Sequence, residues 1–468
     1  MKNNKNSPYK LKSNPVKVFL ISILLIAVAC DDFVQVKIPS TQLSSPLVFE
    51  NNSTATAALV AIYAKIRDNG LLTGNPNGMQ AKLGEYTDEL TFYGAGGQTD
   101  ASFYNNIVLP VNTDVKNWWS TTYNQIYATN ALLEGVENSK SLTPLQKEQL
   151  RGEALFIRAL LHFHMTNLYG DIPYVKTTDY TANTKIGKMG TTQVYENAEA
   201  DLLESEVLLG VAYISSERIR PNKATVQALL ARLYLYSSRW AEAANSASTV
   251  LNNTTLYADD HNLETVFLKG NLGNIWQLMP AVESNNSLEA QTNVFLQGPP
   301  PVSAISPEFV NSFEAGDNRR THWIKTVTKG TEVWYHAYKY KAYNNSGGSL
   351  EYSIVFRTAE LYLIRAEARA QQGELTTALE DLNSIRNKAG LGNTSAVTAE
   401  QIINAIVKER KCELFTEGHR FFDLKRNNLL DEILTPTKPG WDTNDKLLPL
   451  PETELLLNPN LKPQNTGY

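Results

Sequence analysis

The stretch KERKCELFTEGHRFFDLKR, residues 408 to 426, sets Glu409, Glu413 and Glu417 four residues apart and follows them with His419, Arg420 and Asp423. Carboxylates beside a histidine are the groups of general acid–base catalysis, and two carboxylates about 5 to 10 Å apart across a cleft would serve glycoside hydrolysis. The same residues admit a structural reading. On a helix the three glutamates share one stripe, where like charges four apart cost about 0.2–0.5 kcal/mol each unless cations answer them. Lys408, Arg410, Lys411, Arg420, Lys425 and Arg426 are at hand, and Arg158 lies in EALFIRALLHF. Gly418 is placed to end the helix in the left-handed conformation and to turn Arg420 and FFDL back onto it. Phe415, Phe421, Phe422 and Leu424 crowd the segment, which argues for packing rather than an open cleft. Glu409, Arg410, Glu413, Glu417, Arg420 and Asp423 are therefore expected to form a structural ion network built on guanidinium forks.

Other chemistry finds no motif. The chain has no His-Glu-x-x-His, no Gly-x-Ser-x-Gly, no Walker loop and no EF-hand loop. In HFH, His162 and His164 would point about 200° apart on a helix and could not share a metal. No catalytic residue, metal or cofactor is expected. Cys412, in a helical apolar pattern, reads as a small core residue.

Binding is the chemistry that the composition does offer. A soluble glycan presents hydroxyls and apolar C–H faces, so its receptor needs exposed rings flanked by amides, acids or arginines. DELTFYGAGGQTDASFYNN places Phe92, Tyr93, Phe103 and Tyr104 around a glycine-rich loop with Gln98, Asp100, Asn105 and Asn106. Farther on come Trp276, Trp323, Trp334, Tyr335 and Tyr338, with Arg319 and Arg320 nearby. Tyr93, Tyr104 and Trp323 have polar neighbours and lead the candidates, joined by Asn105, Trp276 and Arg320. Trp118, Trp119, Tyr123 and Tyr127 recur at helical spacing in NWWSTTYNQIYATN and read as mainly core.

The elements that would carry these residues are mostly helical. Helical periodicity covers 54–67, 118–135, 145–169, 192–209, 223–236, 241–251, 358–371, 375–387 and 399–415, and lapses between Tyr257 and Ser353. Two helix pairs share a spacing: Ala231 precedes Ala243 by twelve, with Ala247 and Val250 following, and Ala366 precedes Ala378 by twelve, with Leu382 and Ile385 following. Small residues there let antiparallel helices approach closely, as in tetratricopeptide repeats. The reading is a mainly α fold: one domain over 30–468, with a helical scaffold over about 40–70, 116–252 and 354–426. Loop-rich binding parts rich in Gly, Asn and Pro occupy about 71–115 and 253–353, and a tail runs from 427 to 468. Long loops inside a domain are usually functional.

The N-terminus has five lysines and no acid before the uncharged run VFLISILLIAVA, residues 18–29, and then Cys30. This is a secretory signal layout over 1–29; as a helix the run would reach roughly 18 Å, short of a roughly 30 Å bilayer core. Small residues before a cysteine, with Asp31 and Asp32 after it, resemble a lipoprotein box, although Ala27 stands where such boxes usually carry Leu. Removing the five leader lysines from 43 basic residues leaves 38 against 48 acidic ones, a formal charge of −10. Nucleic acid and a basic attachment to lipid headgroups are excluded as partners, so membrane attachment would come from acyl chains on Cys30.

Four stretches together carry a family resemblance: RGEALFIRALLHFHMTNLYGDIPYV, RTAELYLIRAEARAQQGELTTALEDLNSIRNKAG, IVKERKCELFTEGHRFFDLKR and LLPLPETELLLNPNLKPQNTGY. With the N-terminal CDD, and in this order, they resemble the SusD/RagB family of Bacteroidetes outer-membrane lipoproteins. The resemblance implies a non-catalytic, lipid-anchored binding protein on the cell surface that delivers a nutrient to a SusC-like TonB-dependent barrel. The ligand it implies is an oligosaccharide or polysaccharide; a peptide, as for RagB-like members, is the alternative, and a glycosidase is the third reading.

Overall fold

Helices form where apolar residues recur at helical spacing and a capping group starts the run. In the computed structural model, which describes residues 45–94, 99–258, 260–344, 347–438 and 440–468, the long ones are Asn52–Asp68 (α1), Thr113–Asn138 (α2), Pro144–Tyr169 (α3), Thr191–Leu208 (α4), Lys223–Tyr236 (α5), Trp240–Leu251 (α6), Thr358–Gln371 (α7), Leu375–Lys388 (α8) and Ala399–Glu413 (α9). Capping boxes open α3 at Thr143, α5 at Asn222 and α9 at Thr398, each satisfying orphan backbone donors of the first turn. Gly170, at φ +74°, stops α3 where a residue with a Cβ would be strained.

The long helices pack in succession: α1 on α2, α2 on α3, α3 on α4, α4 on α5, α5 on α6, α6 on α7, and α7 on α8 and α9. The spaced alanines sit where the two hairpins close, all of them buried. Helix α6 lies against α7 although the segment from 252 to 357 separates them in sequence, so the two hairpins stack as one scaffold and the intervening chain leaves and returns.

That excursion is more regular than its composition suggested. Strands Leu90–Phe92 (β1), Ser303–Ile305 (β3), Ile324–Lys329 (β4) and Glu332–Ala337 (β5) make a four-stranded antiparallel sheet in the order β1-β3-β5-β4. Asn274–Leu278 (β2) pairs with Ser353–Arg357 (β6), and β6 runs straight into α7. One face of the larger sheet, with Leu90 and Ile305, closes over a core of Phe267, Phe309, Trp323 and Phe415. The tail is fastened to the scaffold: Leu448 N–H donates to the Leu168 carbonyl at 2.8 Å and Asn465 Nδ2 to the Tyr169 carbonyl at 2.8 Å. Among the described residues no helix is long and apolar enough to cross a membrane.

Candidate functional site

Pairing of β1 with β3 brings the two irregular segments, 71–115 and 253–353, onto one surface. Leu90 registers with Ile305 and Phe92 with Ser303, and Tyr93 N–H extends the ladder to the Val302 carbonyl at 2.8 Å. Beneath, the Ser303 hydroxyl bonds Glu85 of the helix Met79–Tyr86. Burial raises the Glu85 carboxyl to about 7, against the pull of Lys82, Ser303 and Lys438.

Tyr93 emerges from this platform 38 % exposed. Tyr104 follows on the short helix Thr99–Tyr104, its ring centroid 6.5 Å from that of Phe92. The Lys438 ammonium lies 3.9 Å from the Tyr104 ring centroid and donates to the Glu85 carbonyl at 2.6 Å and, more loosely, to the Tyr104 carbonyl at 3.3 Å. One face of the half-buried Tyr104 ring is thus occupied by a cation. Asn105 is exposed, while Asn106 turns inward at φ +54° and donates to the Tyr86 carbonyl at 3.0 Å. Tyr93, Tyr104 and Asn105 are therefore neighbours at the end of β1. Gln98, the side chain of Asp100, and Cys30 lie outside the described residues.

Two tryptophans proposed from sequence as ligand platforms are core residues. Trp323 has no exposed surface; its indole N–H donates to the Leu263 carbonyl at 2.9 Å and its ring packs on Phe267 and Phe415. Trp276 is equally buried, donating to the Ile219 carbonyl at 3.2 Å among Tyr63, Phe156 and Phe356. The polar residues beside Trp323 face solvent at the junction of the helix Asn318–His322 with β4 while the indole turns inward. Arg320 is half-buried and stacks on Tyr335, its guanidinium carbon 5.3 Å from the ring centroid. Tyr338, half-buried between Lys325 and Lys341 at 5.4 Å each, shares that region, and in β5 Tyr335 is half-buried between the buried Trp334 and His336.

The carboxylate-rich stretch is densely ion-paired. Arg357, at the end of β6, forks between two of its glutamates, donating to Glu413 at 2.6 Å and to both Glu417 oxygens at 2.8 and 2.9 Å. Arg319 pairs with Asp317 at 2.8 Å, Glu409 at 2.7 Å and Glu413 at 2.9 Å. Lys339 reaches Glu417 at 2.6 Å and the carbonyls of Glu413 and Phe415. Arg410 holds Asp423 at 2.8 Å, and Arg420 holds Asp88 at 2.8 Å. Burial pushes the Glu413 and Glu417 carboxyls upward, but Arg357 with Arg319 at Glu413, and with Lys339 at Glu417, overrides it and holds both at about 2. Burial raises Glu409 above the ordinary carboxylate value, and the charge of Glu413 adds to it. Every acid here faces an internal cation, so none is left to protonate or attack a substrate.

Two details differ from expectation. Helix α9 ends at Glu413, with Thr416 at φ +56° and Gly418 at +80° in the turn that follows, so Glu417 reaches Arg357 from a loop. Arg158 takes no part; it pairs with Asp201 at 2.7 Å. The cations that answer the glutamates are Arg319, Arg357, Lys339 and Arg386, all distant in sequence, and only the folded chain reveals them. Cys412 is buried, with a thiol pushed up to about 12 by burial.

Residues 49–235 match a family model described as starch-binding associating with outer membrane, and residues 309–468 match the model of the SusD family. SusD-like protein P2 of Formosa agariphila is 28 % identical over 97 % of this chain and 99 % of its own length. Among solved structures, a SusD superfamily protein from Bacteroides vulgatus superposes with a TM-score of 0.77 at 21 % identity, covering 89 % of this chain and 99 % of that one. A laminarin-binding SusD-like protein superposes with a TM-score of 0.76 at 24 % identity, covering 89 % of this chain and all of the other. These structures share the fold.

Proposed function

We propose that this chain, which belongs to the SusD/RagB family, captures a soluble oligosaccharide or polysaccharide on the loop surface around Tyr93, Tyr104 and Asn105 and releases it unaltered. The observation that carries this reading is the division of labour between two places. The carboxylates with the spacing for chemistry are neutralised internally by Arg319, Arg357 and Lys339. The exposed ring and amide of Tyr93 and Asn105 stand at the end of β1, where the two irregular segments join.

The laminarin-binding relative supports a glycan as the ligand class. Delivery to a SusC-like TonB-dependent barrel, and anchorage to the outer membrane through acylated Cys30, complete the reading; the family description places its members with the outer membrane. Stacking of a pyranose on Tyr93 would supply apolar contact, and Asn105 would supply paired donor and acceptor groups for hydroxyls.

The test uses the full chain with Cys30→Ser on a glycan array and a peptide array in parallel, followed by affinity electrophoresis in the polysaccharides that score. The expected result is glycan retention without release of reducing sugar, weakened about tenfold or more by Tyr93→Ala/Tyr104→Ala, in line with aromatic anchors worth about 1–2 kcal/mol each. Peptide hits alone, or turnover of the glycan, would replace this reading.

A further inference from the structure

Helix α2 was expected to bury its aromatic face, and at Trp118 and Trp119 it does. Tyr127, two turns on, is 50 % exposed. It stands in an open cleft of about 460 Å3, within the range of small-molecule sites, that shares no residue with the loop surface around Tyr93. Three stretches of chain converge there: α2, the short helix Tyr180–Asn183, and the tail at Glu454–Leu461. Tyr180 presents a second ring, 78 % exposed. The floor is apolar, made by Trp119, Pro173 and Val175.

The walls are rigidly held. Asp179 caps the short helix by accepting from the N–H groups of Thr181 and Ala182, and Asn183 Nδ2 donates to the Thr177 carbonyl at 2.8 Å. Glu134 grips Thr178 through both its N–H, at 2.8 Å, and its hydroxyl, at 2.5 Å. From the tail, Asn458 Nδ2 donates to the Ile186 carbonyl at 2.8 Å and Asn460 Nδ2 to the Lys185 carbonyl at 2.7 Å. The Tyr127 and Tyr180 hydroxyls, the Asn124 amide and the Ser120 hydroxyl, by contrast, bond to nothing among the described residues and are left facing the cleft or solvent. Among the described residues no lysine or arginine lines the cleft, and Glu454 is the single charged group of the lining.

We infer that this cleft is a second carbohydrate site, which binds a neutral sugar segment through the Tyr127 and Tyr180 rings and the free amide of Asn124. Two exposed rings over an apolar floor, flanked by unused donors and acceptors, match the alternating C–H and hydroxyl faces of a pyranose. The single carboxylate and the absence of cations in the lining select against sulfated or uronic sugars. The inference rests on the glycan-binding reading above and extends it: one polymer would engage two places on the same chain and gain by effective concentration.

The experiment runs the full chain with Cys30→Ser against laminarin, xylan, amylopectin and galactomannan by affinity electrophoresis, and against trisaccharides of whichever polymer is retained by calorimetry. The expected result is two trisaccharide sites per chain, falling to one in Tyr127→Ala/Tyr180→Ala and to one in Tyr93→Ala/Tyr104→Ala. Polymer retention should fall about tenfold or more in either double variant. Asn124→Ala should weaken only the site that Tyr93→Ala/Tyr104→Ala leaves intact. Unchanged melting midpoints verify folding, since both cleft tyrosines are exposed. A single trisaccharide site abolished by the Tyr93 pair and untouched by the Tyr127 pair would overturn this inference and leave the first reading standing. Loss of co-purification with a membrane barrel, without any change in glycan retention, would overturn it in favour of a docking face. No retention on any of the four polymers would overturn the neutral-glycan assignment of both sites.

Discussion

Replacing Arg357 by Met tests whether the acid stretch is a structural corner. Arg357 is buried and makes four donations: two to Glu417 oxygens, one to a Glu413 oxygen and one to the Glu413 carbonyl. Without it Glu417 keeps Lys339, and Glu413 keeps Arg319. Removing one partner from a buried ion pair costs about 3–5 kcal/mol, a large share of the 5–15 kcal/mol that holds a typical protein folded. The loss should depend on pH. Glu413 and Glu417 sit at about 2 in the folded chain against an ordinary 4.5. A depressed carboxyl contributes stability that is present above its unfolded value and lost as pH falls through its folded one, here on the order of 3 kcal/mol per group. Arg357 is the strongest depressing influence on both, so the variant has less of this stability to lose below pH 4.5 and the gap to the parent should narrow. Urea unfolding followed by circular dichroism at pH 7.5 and pH 4, with the double-mutant cycle Arg357→Met/Glu417→Gln, measures it. A deficit below about 1 kcal/mol at pH 7.5, or an equal deficit at both pH values, would refute the reasoning, since surface ion pairs behave that way.

Glu89 should give the opposite pH profile. Burial, with the charge of Asp88 adding to it, raises its carboxyl to about 8, so its contribution is complete below the ordinary 4.5 and is lost as pH rises through about 8. Glu89→Gln should flatten the fall in urea midpoint between pH 6 and pH 9 and leave the variant more stable than the parent at pH 9. Gly440→Ala would place a Cβ 1.8 Å from the Asn105 carbonyl oxygen. That segment must move, so glycan retention should drop severalfold, with about 1–3 kcal/mol lost in a melt; unchanged retention would remove Asn105 from the site.

The scaffold was legible because its signals are local. Each long helix repeats its apolar residues over several turns, and the alanines at 231, 243, 366 and 378 mark the close approaches of its hairpins. The pairing that joins the two irregular segments was not legible: β1 and β3 are three residues each and lie more than 200 positions apart, so no window of sequence contains that pair, whereas β4 and β5 form a local hairpin. The ion network was half legible for the same reason. Its acids cluster in one stretch, but Arg319, Lys339 and Arg357 come from 94, 78 and 56 positions away. For the aromatic residues, polar neighbours proved a poor guide to exposure. Trp323 has them and is buried; Tyr127 sits in an aromatic helical pattern and is half exposed.

Arg319, Lys339 and Arg357 precede the acids that neutralise them, in a chain made from its N-terminus. Until residues 409–417 arrive, Arg319 has only its neighbour Asp317, and Lys339 and Arg357 lack the carboxylates that accompany them out of water in the folded chain. A polypeptide truncated before residue 409 would lack these partners, so its segment 253–357 should be cleaved faster than that of the finished chain in limited proteolysis.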